Sequence, residues 1–396
     1  MNEYNLINFG YNPLSSFWKR NQTIFYLLSR EGFIDQALFV NSAVWPIELL
    51  LNPRKQLSQP HINNWKYIVP RAIDHKITAY TPCVLPFSSR FPIMDRASLA
   101  LSQQVYARYQ SKPVILLVNT PIKGMWKNID LLFPHAAVKI FDWSDDHEQF
   151  SDNPSEREII AKAIDYYVSH ADLVLTINDR LTQRAKKLNP ASFTIPNATN
   201  MFTFPAAESH GPIPRPLRHL KKPIVGYMGW LNEMRLDLEL IEYLARARAA
   251  WNFFFIGPES HKNPLGPRIR TLPNVHIVKP VKYQLLASVL ALCDVCILPN
   301  KINAHTSGND PIKIYDYLAT GKPLVSTRTA GTERLSDYIY LADTKEEFLA
   351  HLDRIIAGND DIAKEIRIRV AYENSWKHRF EDFLPLLKGH LKECPT

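Results

Sequence analysis

The sequence predicts an α/β protein with two domains, each built on a parallel β-sheet that is covered by helices on both faces. Continuous apolar strands alternate with amphipathic helices, which is typical of such sheets. The chain has 396 residues, too many for one ordinary core. A Pro-rich segment, 211–216, separates two halves of similar pattern and cannot join a sheet interior. We therefore expect domains at 1–205 and 223–375, a linker at 206–222 and a terminal helix at 376–396.

In the first half, short apolar runs predict buried strands, and apolar residues at helical spacing predict the helices between them. The predicted strands are 4–9, 36–40, 113–119, 137–141, 173–177 and 193–195. The predicted helices are 17–30, 154–168 and 180–187. Residues 42–98 are irregular and rich in Pro and aromatic residues, and we expect a hairpin at 65–81 within them.

The second half alternates strand and helix more regularly. The predicted strands are 223–229, 252–257, 275–278, 295–298, 324–326 and 338–341. Helical spacing of apolar residues covers 236–249, 283–292, 345–357 and 365–388, with a further short helix from 311 to 320. Because ligands bind beyond the carboxyl ends of parallel strands, we expect the turns at 229, 257, 300–309 and 326–331 to form the functional edge.

The short helix that begins near residue 311 is the most informative segment of the chain. Asp310 is a suitable cap, Pro311 suits the first turn, and Gly321 ends the helix. Its free N-terminal amides form an anion site, to which Lys313 adds a full charge. Asp316 lies one turn further on, where a carboxylate can accept hydrogen bonds from sugar hydroxyls. This pattern suits a nucleotide diphosphate sugar, and an ordinary capped helix is the alternative.

The same segment resembles a known family. Residues 311–323 read Pro-Ile-Lys-Ile-Tyr-Asp-Tyr-Leu-Ala-Thr-Gly-Lys-Pro and are similar to the donor-site helix of GT-B glycosyltransferases, in particular the family-4-like branch that builds bacterial surface polysaccharides. The resemblance implies two Rossmann-like domains facing a cleft, with the C-terminal helix crossing back to the first domain. It also implies that Lys313 holds the donor phosphates and Asp316 the ribose. Asp316 replaces the usual Glu, and the first Glu of the family's paired motif is missing near Gly308.

Further donor-binding candidates lie in two other turns. Gly229 would let a phosphate approach the backbone, and Arg235 could contact the diphosphate, although a solvated Arg near a helix start is the alternative. The loop before the donor helix offers polar side chains and amides for the sugar or its phosphates, at His305, Ser307, Gly308, Asn309 and Asp310. A dinucleotide-binding G-x-G-x-x-G pattern is absent at Gly10 and Gly226, which argues against a nicotinamide dehydrogenase.

An acidic turn follows the strand at 137–141. Asp142 and Asp145 are candidates for the catalytic base that an inverting transferase needs, whereas a retaining enzyme needs only positioning and leaving-group stabilisation. A helix-capping acidic turn is the structural alternative. GT-B enzymes generally stabilise the leaving diphosphate with basic residues and amides, so the resemblance implies no catalytic metal.

The first strand-to-helix turn carries the acceptor-binding candidates. In the GT-B architecture this turn faces the cleft, so Tyr11, Asn12 and Arg20 could bind the acceptor. A solvated position for Arg20 is the alternative interpretation.

Composition limits the class of protein. A hydrophobic fraction of 46% with 22% charged residues is that of a folded soluble chain. We expect a cytoplasmic protein, because the polar N-terminus is no signal peptide and no run of 18 apolar residues occurs. The four cysteines make no disulfide framework, and the C-x-x-C at Cys293 and Cys296 lies in an apolar passage that favours neither metal nor redox use.

Positive charge is concentrated in the first third of the chain. Residues 1–140 hold 15 Lys and Arg against 7 Asp and Glu, whereas the remainder holds 32 of each. Such a face could meet anionic lipid headgroups on the inner side of the cell membrane, or a lipid-diphosphate acceptor. Scattered solvated charge is an equal alternative. Nucleic acid is the weakest option, because no binding motif accompanies the charge.

The sequence therefore predicts a glycosyltransferase that moves a sugar from a nucleotide diphosphate donor to a glycan or lipid-linked acceptor, with no cofactor beyond that co-substrate. A non-hydrolysing nucleotide-sugar epimerase of the same architecture is one alternative. A non-catalytic homologue that binds glycan or scaffolds an assembly complex is another, which the missing Glu keeps open. The sugar, the anomeric outcome and the acceptor stay open.

Overall fold

The computed structural model describes residues 3–10, 14, 19–56, 64–84, 92–119, 133–145, 147–150, 153–203, 213–260, 264–302 and 312–391. The chain forms two compact units. The first contains Met1–Asn197 together with Phe380–Thr396, and the second contains Ala198–Arg379. No helix among the described residues is both long and apolar enough to cross a membrane.

The first unit contains an eight-stranded sheet in the order β3-β4-β2-β1-β5-β6-β7-β8. Its strands are β1 (Tyr4–Phe9), β2 (Ile34–Val40), β3 (Arg71–Ala72), β4 (Ile77–Tyr80), β5 (Val114–Val118), β6 (Val138–Trp143), β7 (Leu173–Thr176) and β8 (Ser192–Thr194). Its helices are α1 (Arg20–Arg30), α2 (Pro46–Leu51), α3 (Pro53–Gln56), α4 (Pro92–Ala107), α5 (Pro154–His170) and α6 (Asp179–Lys186). All strand pairs are parallel except β3 with β4.

Burial explains why these strands form. Every residue of β1 and β5 is buried, as a parallel strand covered on both faces requires. The antiparallel pair of β3 and β4 confirms the hairpin predicted at 65–81. Helix α5 begins where the side chain of Asn153 accepts a hydrogen bond from the Ser155 amide, with Pro154 in its first turn.

The second unit contains a six-stranded, fully parallel sheet in the order β11-β10-β9-β12-β13-β14. Its strands are β9 (Ile224–Met228), β10 (Asn252–Ile256), β11 (Val275–Val278), β12 (Val295–Leu298), β13 (Leu324–Thr327) and β14 (Tyr340–Ala342). Its helices are α7 (Leu238–Ala247), α8 (Pro267–Arg270), α9 (Leu286–Leu290), α10 (Lys313–Ala319), α11 (Ala330–Glu333), α12 (Lys345–Ile356) and α13 (Lys364–Glu373). Strand order reverses between β9 and β12, so the topological switch point lies there.

Two helical predictions need correction. The helix predicted at 283–292 is a 3-10 turn, Tyr283–Leu285, followed by the short helix α9. The helical spacing over 365–388 is divided between α13 and a last helix, α14 (Trp376–His390). The break has a physical cause: Thr199 pairs with this segment, accepting from the Trp376 amide at 2.9 Å and donating its own amide to the Asn374 carbonyl at 3.0 Å.

The last helix joins the two units in sequence. From Phe380 onward its residues belong to the first unit, as expected for a C-terminal helix that crosses back to that domain. Phe383 and Leu387 are buried, and the Lys388 ammonium lies 5.7 Å from the ring centre of Phe33.

Candidate active site

Two glycine turns meet at the carboxyl edge of the second sheet. Gly229 follows β9 and Gly257 follows β10, and both have a φ of +152°, which favours glycine. The Gly229 amide donates to the Ile256 carbonyl at 3.0 Å. A Cβ on Gly257 would lie 1.8 Å from the carbonyl oxygen of Gly229, so no side chain fits there. The two turns therefore pack directly against each other, which the lack of a side chain at Gly257 permits.

Lys313 lies against the Gly229 turn. Its Nζ donates a hydrogen bond to the Tyr227 hydroxyl at 2.9 Å. A Cβ on Gly229 would lie 2.5 Å from the same Nζ, so glycine leaves room for the ammonium group. The structure thus brings together Lys313 and Gly229, two of the residues singled out from the sequence. Sequence reasoning missed Tyr227, although a tyrosine within an otherwise apolar strand, two residues before a Gly turn, was a usable signal.

Arg235 lies in the loop that follows Gly229. Its carbonyl accepts from the Lys301 amide at 2.7 Å, which fixes the loop against the segment that leaves β12. The Nε of Arg235 is buried and has no hydrogen-bond partner among the described residues. The loop therefore presents an unsatisfied cationic donor at the switch point.

Asp316 is buried in the donor helix α10. Its Oδ1 accepts hydrogen bonds from the Thr199 Oγ1 at 2.5 Å and from the Tyr283 hydroxyl at 2.6 Å. The Oδ2 accepts none from the residues that the structure describes. Burial raises the pKa of Asp316 to about 6, against the opposing effects of these two hydroxyls and the nearby Lys313 charge. The protein thus fixes one carboxylate oxygen of Asp316 through two hydroxyl groups.

Three segments that are distant in the sequence meet around Asp316. Thr199 follows β8, and its backbone pairs with Asn374 and Trp376 while its side chain donates to Asp316. Their mutual contact was not predicted, because nothing in a local pattern reports a bond between distant positions.

Several predicted site residues lie outside the residues that the structure describes. These are Tyr11 and Asn12 of the acceptor set, and His305, Ser307, Gly308, Asn309 and Asp310 of the donor set.

In the first unit, Arg20 and Asp142 form a buried ion pair. The Nε and Nη2 of Arg20 lie 2.8 and 2.7 Å from Oδ1 of Asp142. The side-chain Nδ2 of Asn119 donates a hydrogen bond to Oδ2 of Asp142 at 3.0 Å. Arg20 also donates to the carbonyl of Ile195. The pair ties the start of α1 to β6 inside the unit.

This burial corrects the interpretation of both residues. Arg20 is 7% exposed and Asp142 is fully buried, so Arg20 is neither a solvated cation nor a surface contact for an acceptor. Both oxygens of Asp142 are already hydrogen-bonded, which disfavours it as a base for an external hydroxyl. Asp145, by contrast, is exposed.

The two cysteines of the C-x-x-C segment are free, fully buried thiols in the core of the second unit. Burial raises the pKa of the Cys293 thiol, which keeps it protonated and unreactive. Within the described part of the chain, no group of three or more His, Cys, Asp and Glu side chains could hold a metal ion.

The fold of this chain is similar to that of GT-B glycosyltransferases, and comparisons with known proteins report the same likeness. Residues 222–358, which contain Gly229, Lys313 and Asp316, match the family model described as glycosyl transferases group 1. The chain is 24% identical over 238 residues to the putative teichuronic acid biosynthesis glycosyltransferase TuaH of Bacillus subtilis strain 168. That match covers 58% of this chain and only 59% of the relative.

Solved structures match over nearly the whole chain. Sucrose-phosphate synthase from Thermosynechococcus elongatus has a TM-score of 0.61 at 15% identity, covering 98% of this chain and 99% of that one. Anabaena Alr3699/HepE, solved in complex with UDP, has a TM-score of 0.59 at 14% identity, covering 98% and 100%. At these identities the likeness shows the fold, and the resemblance to GT-B glycosyltransferases predicted from residues 311–323 is confirmed.

Proposed function

We propose that this protein transfers a sugar from a nucleotide diphosphate donor to a glycan or lipid-linked saccharide acceptor in cell-surface polysaccharide biosynthesis. The observation that carries the proposal is the meeting of Lys313 with the Gly229 turn at the carboxyl edge of the second sheet. A cation held in place at the carboxyl edge of a parallel sheet, where the ligands of such sheets bind, suits a phosphate. The glycosyltransferase family model over 222–358 and the biosynthetic role named for TuaH support this assignment.

The donor binds to the second unit through three groups. Lys313 and Arg235 take the diphosphate, and they stabilise it as it leaves when the glycosidic bond breaks. The free Oδ2 of Asp316 accepts a hydrogen bond from the ribose, while Thr199 and Tyr283 hold its other oxygen. UDP is the first nucleotide to test, because the HepE neighbour was solved with it.

On the acceptor side, Asp145 is the remaining carboxylate for proton removal. In an inverting reaction it would accept the proton of the acceptor hydroxyl as that oxygen attacks the anomeric carbon. In a retaining reaction its loss would affect only positioning. Asp142 and Arg20 hold the turn from inside.

We also propose that the protein works at the inner face of the cell membrane. Helix α2 exposes Leu50 at 81% and Leu51 at 65%, and Ile93 at the start of α4 is 76% exposed. These side chains lie within residues 1–140, which carry the basic excess. Exposed leucines beside basic residues suit the interface of an anionic bilayer, where a lipid-linked acceptor is found.

A donor panel tests the proposed function. The protein is titrated calorimetrically with UDP-, GDP- and dTDP-linked sugars, and each mixture is then incubated with and without a bacterial membrane extract. We expect one nucleotide family to bind and its nucleoside diphosphate to be released only when the extract is present. Interconversion of the nucleotide sugar without extract would indicate the epimerase, and absence of any nucleotide binding would indicate the scaffold.

A further inference from the structure

Two segments are held side by side at the switch point between β9 and β12. The Lys301 amide donates to the Arg235 carbonyl at 2.7 Å, and the Asp237 amide donates to the Pro299 carbonyl at 2.9 Å. Between these two bonds, Leu236 forms an antiparallel bridge with Asn300. The backbone therefore fixes Arg235 and Asn300 as close neighbours in this crevice.

Asn300 is buried but its side chain is not satisfied. It is 8% exposed, and no described residue hydrogen-bonds its Oδ1. Both backbone groups of Asn300, by contrast, are hydrogen-bonded. Its backbone amide donates to the Leu298 carbonyl at 3.0 Å, and its carbonyl accepts from the Thr327 hydroxyl at 2.9 Å. Buried polar groups normally find partners, so the Oδ1 of Asn300 needs a donor that the described residues do not supply.

Asn274 shows what a structural asparagine looks like in the same unit. It is also 8% exposed, but its Nδ2 donates to three carbonyls, those of Ala245, Arg248 and Trp251. Asn274 precedes β11 at the amino edge of the sheet, whereas Asn300 follows β12 at the carboxyl edge. The unsatisfied asparagine is thus the one at the edge where ligands bind.

The neighbouring charge indicates the ligand. Arg235 brings a second unsatisfied group, the buried Nε, which is a donor suited to a phosphate oxygen. A hydroxyl close to a phosphate would satisfy both residues, the hydroxyl donating to the Oδ1 of Asn300 and a phosphate oxygen accepting from the Nε of Arg235. In a nucleotide diphosphate sugar, the terminal phosphate is bonded to the anomeric carbon of the sugar. The hydroxyls of the sugar ring therefore lie close to that phosphate.

We propose that the side-chain amide of Asn300 hydrogen-bonds a hydroxyl of the transferred sugar while Arg235 binds the adjoining phosphate. This inference rests on the proposed function and adds to it a residue that reads the sugar. Asn300 would supply a contact to the sugar in a chain that lacks the expected Glu near Gly308.

The test compares two affinities in each variant: that for a nucleotide sugar and that for its own nucleoside diphosphate, beginning with UDP-glucose and UDP and extending to the GDP and dTDP pairs. We expect Asn300→Ala to weaken binding of the nucleotide sugar by roughly 3- to 10-fold, the value of one hydrogen bond, and to leave nucleoside diphosphate binding within about twofold. Arg235→Ala should weaken both. Asn274→Ala is the control and should lower the Tm without changing the ratio of the two affinities.

Each failure has its own signature. If wild-type protein binds no nucleotide sugar or nucleoside diphosphate of the panel, the proposed function falls and the assignment of Asn300 falls with it. If wild-type protein binds but Asn300→Ala keeps the wild-type ratio, the assignment of Asn300 alone is overturned. A Tm of Asn300→Ala close to that of wild type excludes misfolding as the cause of any loss, and an equal loss of both affinities also overturns the assignment.

Discussion

The Nζ of Lys313 donates a hydrogen bond to the Tyr227 hydroxyl at 2.9 Å and lies 4.8 Å from the centre of the same ring. The hydrogen bond and the cation–π contact both hold the ammonium at the carboxyl end of β9. A lysine has a flexible stem, so a partner that fixes its position reduces the entropy lost when an anion binds. Under the proposed function, Tyr227 would therefore hold Lys313 in position for a phosphate.

The buried pair of Arg20 and Asp142 should be essential for stability. Replacing Arg20 with Ala leaves the Asp142 charge buried without its partner, and this typically costs about 3–5 kcal/mol. We expect the free energy of unfolding of Arg20→Ala, measured by urea titration, to fall by about that amount. A free energy of unfolding within 1 kcal/mol of wild type would mean that this ion pair does not stabilise the fold.

The variant Asp145→Asn changes the other candidate base of the acidic turn that contains Asp142. Because Asp145 is exposed, the contact that it makes is worth at most about 1 kcal/mol, and this variant should lower the free energy of unfolding by no more than that. If the reaction is inverting, its turnover should fall by roughly 100-fold or more while donor affinity is kept. Near-full turnover with the true acceptor would remove Asp145 from the chemistry.

Asp316 should make the stability of the second unit depend on pH. Its pKa is raised from 3.8 to about 6 by burial. Between these pH values the folded protein keeps a proton that the unfolded chain has released, so stability falls as the pH rises from about 4 to about 6. Relative to Asp316→Asn, the wild type should lose roughly 3 kcal/mol of unfolding free energy across this window.

The Asn variant is a suitable reference because its amide oxygen can still accept from the Thr199 and Tyr283 hydroxyls while carrying no titratable proton. The measurement is chemical unfolding of both proteins at several pH values from 4 to 7. Parallel pH profiles would contradict the raised pKa.

The membrane proposal predicts a specific defect. Replacing Leu50 and Leu51 together with Ser removes two exposed apolar side chains from α2, and vesicle binding should fall at least about tenfold. Ile159→Ser is the control, because Ile159 is 51% exposed on α5 of the same unit. Binding is measured by flotation with anionic vesicles, and it should weaken as salt is raised. Equal, salt-insensitive binding by all three proteins would rule out this surface.

The local sequence pattern predicted the strands, but it did not predict which distant residues contact the site residues. Strands β11 and β12 were predicted with the bounds that the structure has, because short, largely apolar runs between turns have few other solutions. The approach of Lys313 to Gly229 agrees with a functional edge formed by the carboxyl ends of parallel strands.

The contacts that sequence analysis missed all join distant positions. Thr199 bonds Asp316 across 117 positions, and Arg20 bonds Asp142 across 122. Whether an acidic side chain faces solvent or a buried guanidinium depends on such pairings. An acidic turn alone could not distinguish the buried Asp142 from the exposed Asp145.

The proposed role of Lys313 is to hold the donor diphosphate, and the most direct test is the calorimetric Kd of the nucleotide sugar for wild type and Lys313→Ala. Lys345→Ala is the control, because the Lys345 ammonium also lies over a tyrosine ring, 5.0 Å from that of Tyr243, but follows the edge strand β14. A charge-assisted phosphate contact is worth about 1.5–3 kcal/mol, so Lys313→Ala should bind roughly 10- to 150-fold more weakly while Lys345→Ala binds as wild type. Equal affinity of wild type and Lys313→Ala would contradict the claim.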